Sequence, residues 1–490
     1  MFKLFSEPVR TACVSGRLKS SSITAIQTYN ISPPTHAGGS DFSPFYILLI
    51  LILSFSLSCR LAATAKDDSV AENDSRKSRN ETALLQAKKN IEKFRKGDVQ
   101  IKVFDARGKS VSRAQINIKQ ISHDFKFGCY LKIDDLAPDK LPEYERHFAK
   151  LFNYAVVGTY WDFVENKQGI ENWSWFEREI AIAEKLELKI QAAPILWGTN
   201  EAGTPAWLPK NKGELLPILE RRVKSVVSKY GDRVEDWEVV NEPLAPKNDF
   251  FARTIGDDYI ESAFLQARRA ASAKRSLINE YGIFGAVKEH NYNRDKYLDL
   301  LKGLIKKEVP LDVIGIQAHA NGEWYEPANV AEQLDRYAVL GKPIQITEFS
   351  AQTLNYDDRK TALGVLGTYR SGIWNAEKQA EFYREFYTVS FGSPQVEAIV
   401  TWGLDDQRGW LPGIGLIDAR GNAKPNYKTL DRLINEEWRT KLELNLTAND
   451  TAEFRGFYGS YEVEVVAGGK RTKAKFELKK DGKNEWVLRL

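Results

Sequence analysis

The sequence predicts an α/β protein built on a (β/α)8 barrel, with small β segments at both ends. Three observations predict it. Short β-branched runs alternate with longer amphipathic stretches between Phe125 and Trp438, the runs number eight, and about 310 residues is the span that eight strand–helix units occupy. An open doubly wound sheet would carry a glycine-rich phosphate loop after its first strand, and none follows Phe125.

In chain order, residues 1–65 read as a leader. An apolar run from Phe45 to Leu57 follows Lys3, Arg10, Arg17 and Lys19 and precedes Ala62-Ala63-Thr64-Ala65, the layout of a secretory signal peptide. At about 13 residues the run is shorter than the roughly 20 that span a bilayer, so no stable membrane span is expected. The expected destination is outside the cell or the periplasm, with a lipid anchor at Cys59 as the other outcome. Residues 66–94 read as a polar linker and a short helix over 82–94. Two alternating runs around a turn at Gly108 make 95–124 an N-terminal β segment, and 439–490 repeats that style with turns at Gly468-Gly469 and Asp481-Gly482. Each is short for an independent core, so both are expected to cover the barrel rather than bind carbohydrate.

The barrel, 125–438, takes its first strand near Phe125. The others follow at Tyr154 to Trp161, Lys189 to Trp197, Val234 to Glu242, Ser276 to Tyr281, Val313 to Ala320, Pro343 to Phe349 and Ala398 to Leu404. Helical periodicity fills the gaps, as at Trp175 to Leu186, Leu215 to Tyr230, Asp258 to Ala273 and Ala376 to Phe386.

Composition narrows the chemistry. A net charge of +4 with no basic stripe makes nucleic acid a poor partner. The cysteines Cys13, Cys59 and Cys129 are too few for a disulfide framework, and no CxxC or HExxH spacing signals zinc. Cys129 lies in an apolar run and is expected to be buried and inert. The 12 Trp, 20 Tyr and 24 Phe would serve a core or a sugar-binding cleft equally well.

Barrel enzymes carry their chemistry at the C-terminal ends of strands. Two glutamates end apolar runs there: Glu242 after Trp237-Glu238-Val239-Val240-Asn241, and Glu348 after Pro343-Ile344-Gln345-Ile346-Thr347. A carboxylate ending a buried strand is costly to desolvate unless it is paired or used. Strand position alone leaves structural salt bridges and catalysis equally open.

Trp237 to Pro243, Ile314-Gly315-Ile316-Gln317-Ala318-His319, Ile346-Thr347-Glu348-Phe349 and Val400-Thr401-Trp402-Gly403-Leu404-Asp405 stand in order and at matching spacing. They resemble successive strand-end motifs of glycoside hydrolase family 10, the endo-β-1,4-xylanases and their relatives. The Phe152-Asn153 and Asn279-Glu280-Tyr281 stretches are also similar. The resemblance implies a (β/α)8 TIM barrel and a retaining, endo-acting glycosidase that cuts a β-1,4-linked polysaccharide such as xylan. By position, Glu242 is the general acid/base and Glu348 the nucleophile. Asn241 would bond a sugar 2-hydroxyl, and Gln317 and His319 alternate on one strand and so face inward together, with His319 orienting Glu348. Trp402 and Trp410 fit the aromatic floor of the cleft. The chemistry needs no metal and no organic cofactor, and a monomer acting on a polysaccharide is expected.

The pattern departs from the family in three places. Where the second strand normally carries Glu-Asn-x-x-Lys-Trp, this chain has Val156 to Trp161; where the third has His-Thr-Leu-x-Trp-His, it has Ala193 to Gly198; and Ser350 replaces an aspartate beside the nucleophile. Tyr160 and Trp197 are the residues expected to meet sugar in the two altered strands. Lost polar partners change which sugar is accepted more than which bond is cut. The alternatives are a catalytically inactive polysaccharide-binding barrel and a glycosidase of another two-glutamate barrel family.

Overall fold

The computed structural model describes residues 72–200, 202–286, 291–320, 324–353, 375–447 and 451–490. The chain divides into two units, Met1–Ser75 and Arg76–Leu490, and the second carries the barrel. The leader and Cys59 lie outside the described residues. No helix among the described residues is long and apolar enough to cross a membrane.

Residues 76–94 are helical, so the helix begins before the 82–94 that apolar periodicity predicts. Its first turns are held by polar contacts that leave no periodic signature. Arg76 pairs with Glu326, and buried Asn80 accepts the Ala328 N–H at 2.9 Å while donating to Glu326.

Two β segments follow at the start of the chain: β1 (Lys96–Phe104) and β2 (Ala114–His123). The barrel strands are β3 (Lys126–Tyr130), β4 (Tyr154–Gly158), β5 (Lys189–Ala193), β7 (Asp236–Asn241), β8 (Arg275–Glu280), β9 (Val313–Ala320), β10 (Ile344–Ala351) and β11 (Val396–Thr401). Among the described residues these eight pair in parallel in the order β5-β4-β3-β11-β10-β9-β8-β7, and β5 returns to β7 to close the ring. The third strand stops sooner than expected. Pro194 has no N–H to give the ladder, so the chain leaves the sheet and rejoins it as the two-residue β6 (Leu196–Trp197), opposite Val240 and Asn241. The second strand also ends early, at Gly158, because Trp161–Val164 turns into a short helix.

The strand-start end of the barrel is tied by charge. Buried Asp236 accepts from Lys126 at 2.6 Å, Arg275 at 2.7 Å and Tyr154 at 2.6 Å, and Arg275 also grips Glu397. Burial alone would raise the Asp236 pKa, but the two cations outweigh it and hold the carboxylate well below its usual range. These charges are structural and lie at the opposite end from the C-terminal strand ends.

The two β segments are not separate covers. β1 pairs antiparallel with β13 (Thr451–Phe457) and parallel with β16 (Glu485–Arg489). β2 lies between β12 (Lys441–Leu446) and β14 (Gly459–Ala467), which pairs in turn with β15 (Lys470–Leu478). The result is one sandwich of a three-stranded and a four-stranded sheet. Val99, Ile101, Val103, Ile116, Ile118, Val463, Val465, Trp486 and Leu488 form its core. Neither segment buries that core alone; the core forms where 95–124 and 439–490 pair with each other. The outward rows of β14 and β15 are charged, with Glu462 opposite Lys475 and Glu464 opposite Lys473.

Candidate active site

Two irregularities in the barrel aim the polar residues. A register shift between Glu238 and Val240 lets Asn241 oppose Asn279 on β8, and one between Ile346 and Glu348 brings Glu348 opposite Gln317 on β9. Bulges of this kind bend a strand and turn a side chain to a new direction. Glu242, the first residue past β7, sits at φ +50°, a left-handed conformation that costs a non-glycine residue about 1–2 kcal/mol. Its N–H donates to Asn279 O at 2.8 Å, and Leu244 N–H to Glu280 Oε2 at 2.9 Å, which fixes the turn.

The two glutamates are joined by hydrogen bonds. Gln317 Nε2 donates to Glu242 Oε1 at 2.9 Å and approaches Asn241 Oδ1 at 3.4 Å. Asn279 Nδ2 donates to Asn241 Oδ1 at 3.1 Å and to Glu348 Oε1 at 2.9 Å, while Thr347 donates to Asn279 Oδ1. The other Glu348 oxygen lies 3.0 Å from His319 Nε2, and His319 Nδ1 lies 2.8 Å from Ser350 Oγ. A nitrogen facing a carboxylate carries its proton, so His319 is an Nε2–H donor and Ser350 supports the opposite edge of the ring.

Trp197 Nε1 and Asn248 Nδ2 both donate to Glu242 Oε2, at 3.1 and 2.6 Å. Burial, then the negative charge of Glu348, push the Glu242 pKa up, against the pull of the Gln317 and Trp197 donors. Below it, buried Glu238 is raised well above the carboxylate range by desolvation and then by Glu348 and Glu242. Glu280 is pushed up to about 8 by burial and by Glu242, although it accepts from Leu244 N, Tyr281 N and Asn293 Nδ2. The two strand-end carboxyls thus sit in contrasting surroundings: Glu242 is pushed toward its acid form by burial, while Glu348 accepts from Asn279 and faces His319.

The aromatic residues surround this centre. Tyr160 lies 6.1 Å from Trp197 between ring centroids. Trp402 stacks on Tyr130 at 4.5 Å and 11°, and Trp410, 48% exposed, meets the His319 ring edge-on at 4.9 Å. Trp402 and Trp410 share a hollow with Tyr130, Lys132, Asp405 and Arg408. The structure thus brings Glu242, Glu348, Asn241, Gln317, His319, Trp197, Tyr160, Trp402 and Trp410 to one end of the barrel. It adds two contacts that sequence reasoning missed. The motif resemblance touched Asn279 without giving it a role, and nothing in the Pro246-Lys247-Asn248 turn marks Asn248.

The Glycosyl hydrolase family 10 sequence model matches residues 117–432. Among curated proteins, endo-1,4-beta-xylanase B of Thermotoga neapolitana is 30% identical over 321 residues, covering 61% of this chain and 87% of the relative. Endo-1,4-beta-xylanase 1 of Arabidopsis thaliana is 24% identical, and this chain spans 37% of its length. Among solved structures, native xylanase 10B from Thermotoga maritima superposes with a TM-score of 0.54 at 26% identity, covering 64% of this chain and 96% of that one. With the match running through all eight barrel strands and both strand-end glutamates, the chain belongs to glycosyl hydrolase family 10.

Proposed function

We propose that this glycoside hydrolase cuts internal β-1,4 linkages of xylan or a closely related β-glycan with retention of configuration. The observation that carries the reading is the pair of strand-end carboxyls in contrasting surroundings: Glu242 with a raised pKa, Glu348 held by His319 and Asn279. Glu242 delivers a proton to the glycosidic oxygen while Glu348 attacks the anomeric carbon, and Glu242 then takes a proton from water as the glycosyl-enzyme is hydrolysed. Asn241 Oδ1 is engaged by Asn279 and Gln317, which leaves its N–H hydrogens for a sugar 2-hydroxyl. Trp402, Trp410, Trp197 and Tyr160 offer apolar ring surface to sugar faces. The names of the similar xylanases support the choice of polysaccharide.

The test follows the chain, cut after residue 65, on xylan, arabinoxylan and mixed-linkage glucan by proton NMR of the first product. A β-anomer appearing before mutarotation supports the reading. An α-anomer removes retention, and no product from any polysaccharide or aryl glycoside favours the inactive binding barrel. The apolar run Phe45 to Leu57 also supports export, and N-terminal sequencing of exported protein starting near Lys66 tests it.

A further inference from the structure

We propose that Asn248 is a positioning residue that fixes which oxygen of Glu242 carries the transferable proton, and that Gly198 is what allows it to reach. The inference rests on the acid/base reading of Glu242 and deepens it. A carboxylate oxygen has two in-plane lone pairs. Oε2 of Glu242 accepts from both Trp197 Nε1 and Asn248 Nδ2, so both are taken. Among the described residues, Oε1 accepts from Gln317 alone and keeps one site open. The proton of the acid form therefore sits on Oε1, and from there it passes to the glycosidic oxygen as the bond to the anomeric carbon breaks.

Asn248 reaches this oxygen through a close backbone approach. A Cβ placed on Gly198 would stand 2.1 Å from Asn248 O, a distance no side chain tolerates, so only glycine lets the Pro246–Asn248 turn lie against the end of the third strand. Asn248 is 2% exposed, and its Oδ1 is buried with no partner among the described residues. With Glu242 ionised, turning the amide over would set Oδ1 against a carboxylate oxygen at 2.6 Å, so in the anion the N–H faces Glu242. An orphaned buried carbonyl is a liability for stability. The side chain is thus explained by what it does for Glu242 rather than by what it does for the fold.

Removing Asn248 vacates a lone pair on Oε2, where a proton is misdirected, and takes one donor from the anion. Both effects act in known directions. Proton delivery worsens, and loss of a donor to the charged form raises the Glu242 pKa further. The titratable groups facing Glu242 are Glu348 and His319 across the mouth, Glu238 on its own strand, and Glu280, Tyr281 and Tyr292 on the neighbouring side; the turn of Asn248 adds Lys247 and Asp249.

The experiment compares phenyl and 2,4-dinitrophenyl β-xylobiosides, which differ in their need for an acid. Asn248→Ala should lose roughly tenfold in kcat/KM on the phenyl substrate, and much less on the dinitrophenyl one. Its alkaline limb on the phenyl substrate should move up by about 0.5–1 pH unit. Asn248→Asp should move the limb further, and Gly198→Ala should reproduce Asn248→Ala by displacing the turn. If Gly198→Ala does not fold, the two Asn248 variants carry the test. Equal losses on both substrates with an unmoved limb would overturn the proposal and leave Asn248 a packing residue. Glu242→Ala run in parallel separates the levels: if it shows the leaving-group dependence and Asn248→Ala does not, only Asn248 is wrong, whereas full turnover by Glu242→Ala would remove the acid/base reading itself.

Discussion

Gln317 is the strand partner of Glu348 in the β9–β10 register, yet its side-chain amide donates to Glu242 Oε1 at 2.9 Å. One residue thus takes its backbone position from one carboxylate and gives its hydrogen bond to the other. The geometry of the pair is set by a strand rather than by a loop, which limits drift at the reacting atoms. Gln317→Ala should keep the fold and lower kcat/KM by about 100-fold, the scale of a catalytic group misplaced by about 1 Å. Steady-state kinetics with a thermal melt as control checks it.

The raised pKa of Glu242 fixes the sign of a pH dependence. A general acid works while protonated, so activity falls as pH rises through its pKa. Because burial and Glu348 push that pKa up, the alkaline limb of kcat/KM should lie at higher pH than an unperturbed glutamate would give. In Glu348→Gln the like charge is gone while the fold remains. The Glu242 carboxyl, followed by 13C NMR, should then titrate at lower pH than in the unsubstituted chain.

Ser350 stands where the family pattern has an aspartate, and the structure uses its hydroxyl 2.8 Å from His319 Nδ1. A hydroxyl accepts or donates, so it supports either charge state of the ring. Ser350→Ala should free the ring and cost roughly tenfold in kcat through misplacement of Glu348.

The eight barrel runs were legible because β-branched strands and amphipathic helices differ in period, and Val313 to Ala320 is read with the observed ends. Strand ends shifted where one residue dominates locally, as Pro194 does in the third strand. The sandwich was not legible: β1 meets β13 and β16 across more than 300 residues, and local alternation says nothing of such pairing. Asn248 was hidden for the same reason, since its partner is chosen by a turn and by a glycine just past the third barrel strand.

That non-local pairing makes a strong stability prediction. Deleting residues 439–490 strips both neighbours from β1 and two from β2, exposing Val99, Ile101, Val103, Ile116 and Ile118. The truncated chain should be insoluble or melt far below the full one. A truncated chain that is soluble, with an unchanged thermal melt and unchanged activity, would show the sandwich to be dispensable.

Buried Asp236 should govern acid stability. Its folded pKa lies below the unfolded value near 3.9, so its contribution is complete above that value and fades as pH falls through the folded one. Asp236→Ala leaves Lys126 and Arg275 without their shared carboxylate and should cost about 3–5 kcal/mol at neutral pH. Denaturant melts should show the gap to the unsubstituted chain narrowing below about pH 4.

The two glutamates are expected to fail in different ways, and their failures can be told apart chemically. Glu348→Ala removes the atom that attacks the anomeric carbon, so turnover should vanish on every substrate. Glu242→Ala removes proton delivery and water activation, so a substrate with a good leaving group still forms the glycosyl-enzyme, which then persists. Azide attacks that intermediate without a general base, and should restart Glu242→Ala to give a β-glycosyl azide, the product of two inversions. In Glu348→Ala the same anion occupies the space left by the side chain and displaces the leaving group once, giving the α-azide. Product stereochemistry therefore assigns each role independently of rate, and an α-azide from Glu242→Ala would exchange the two assignments.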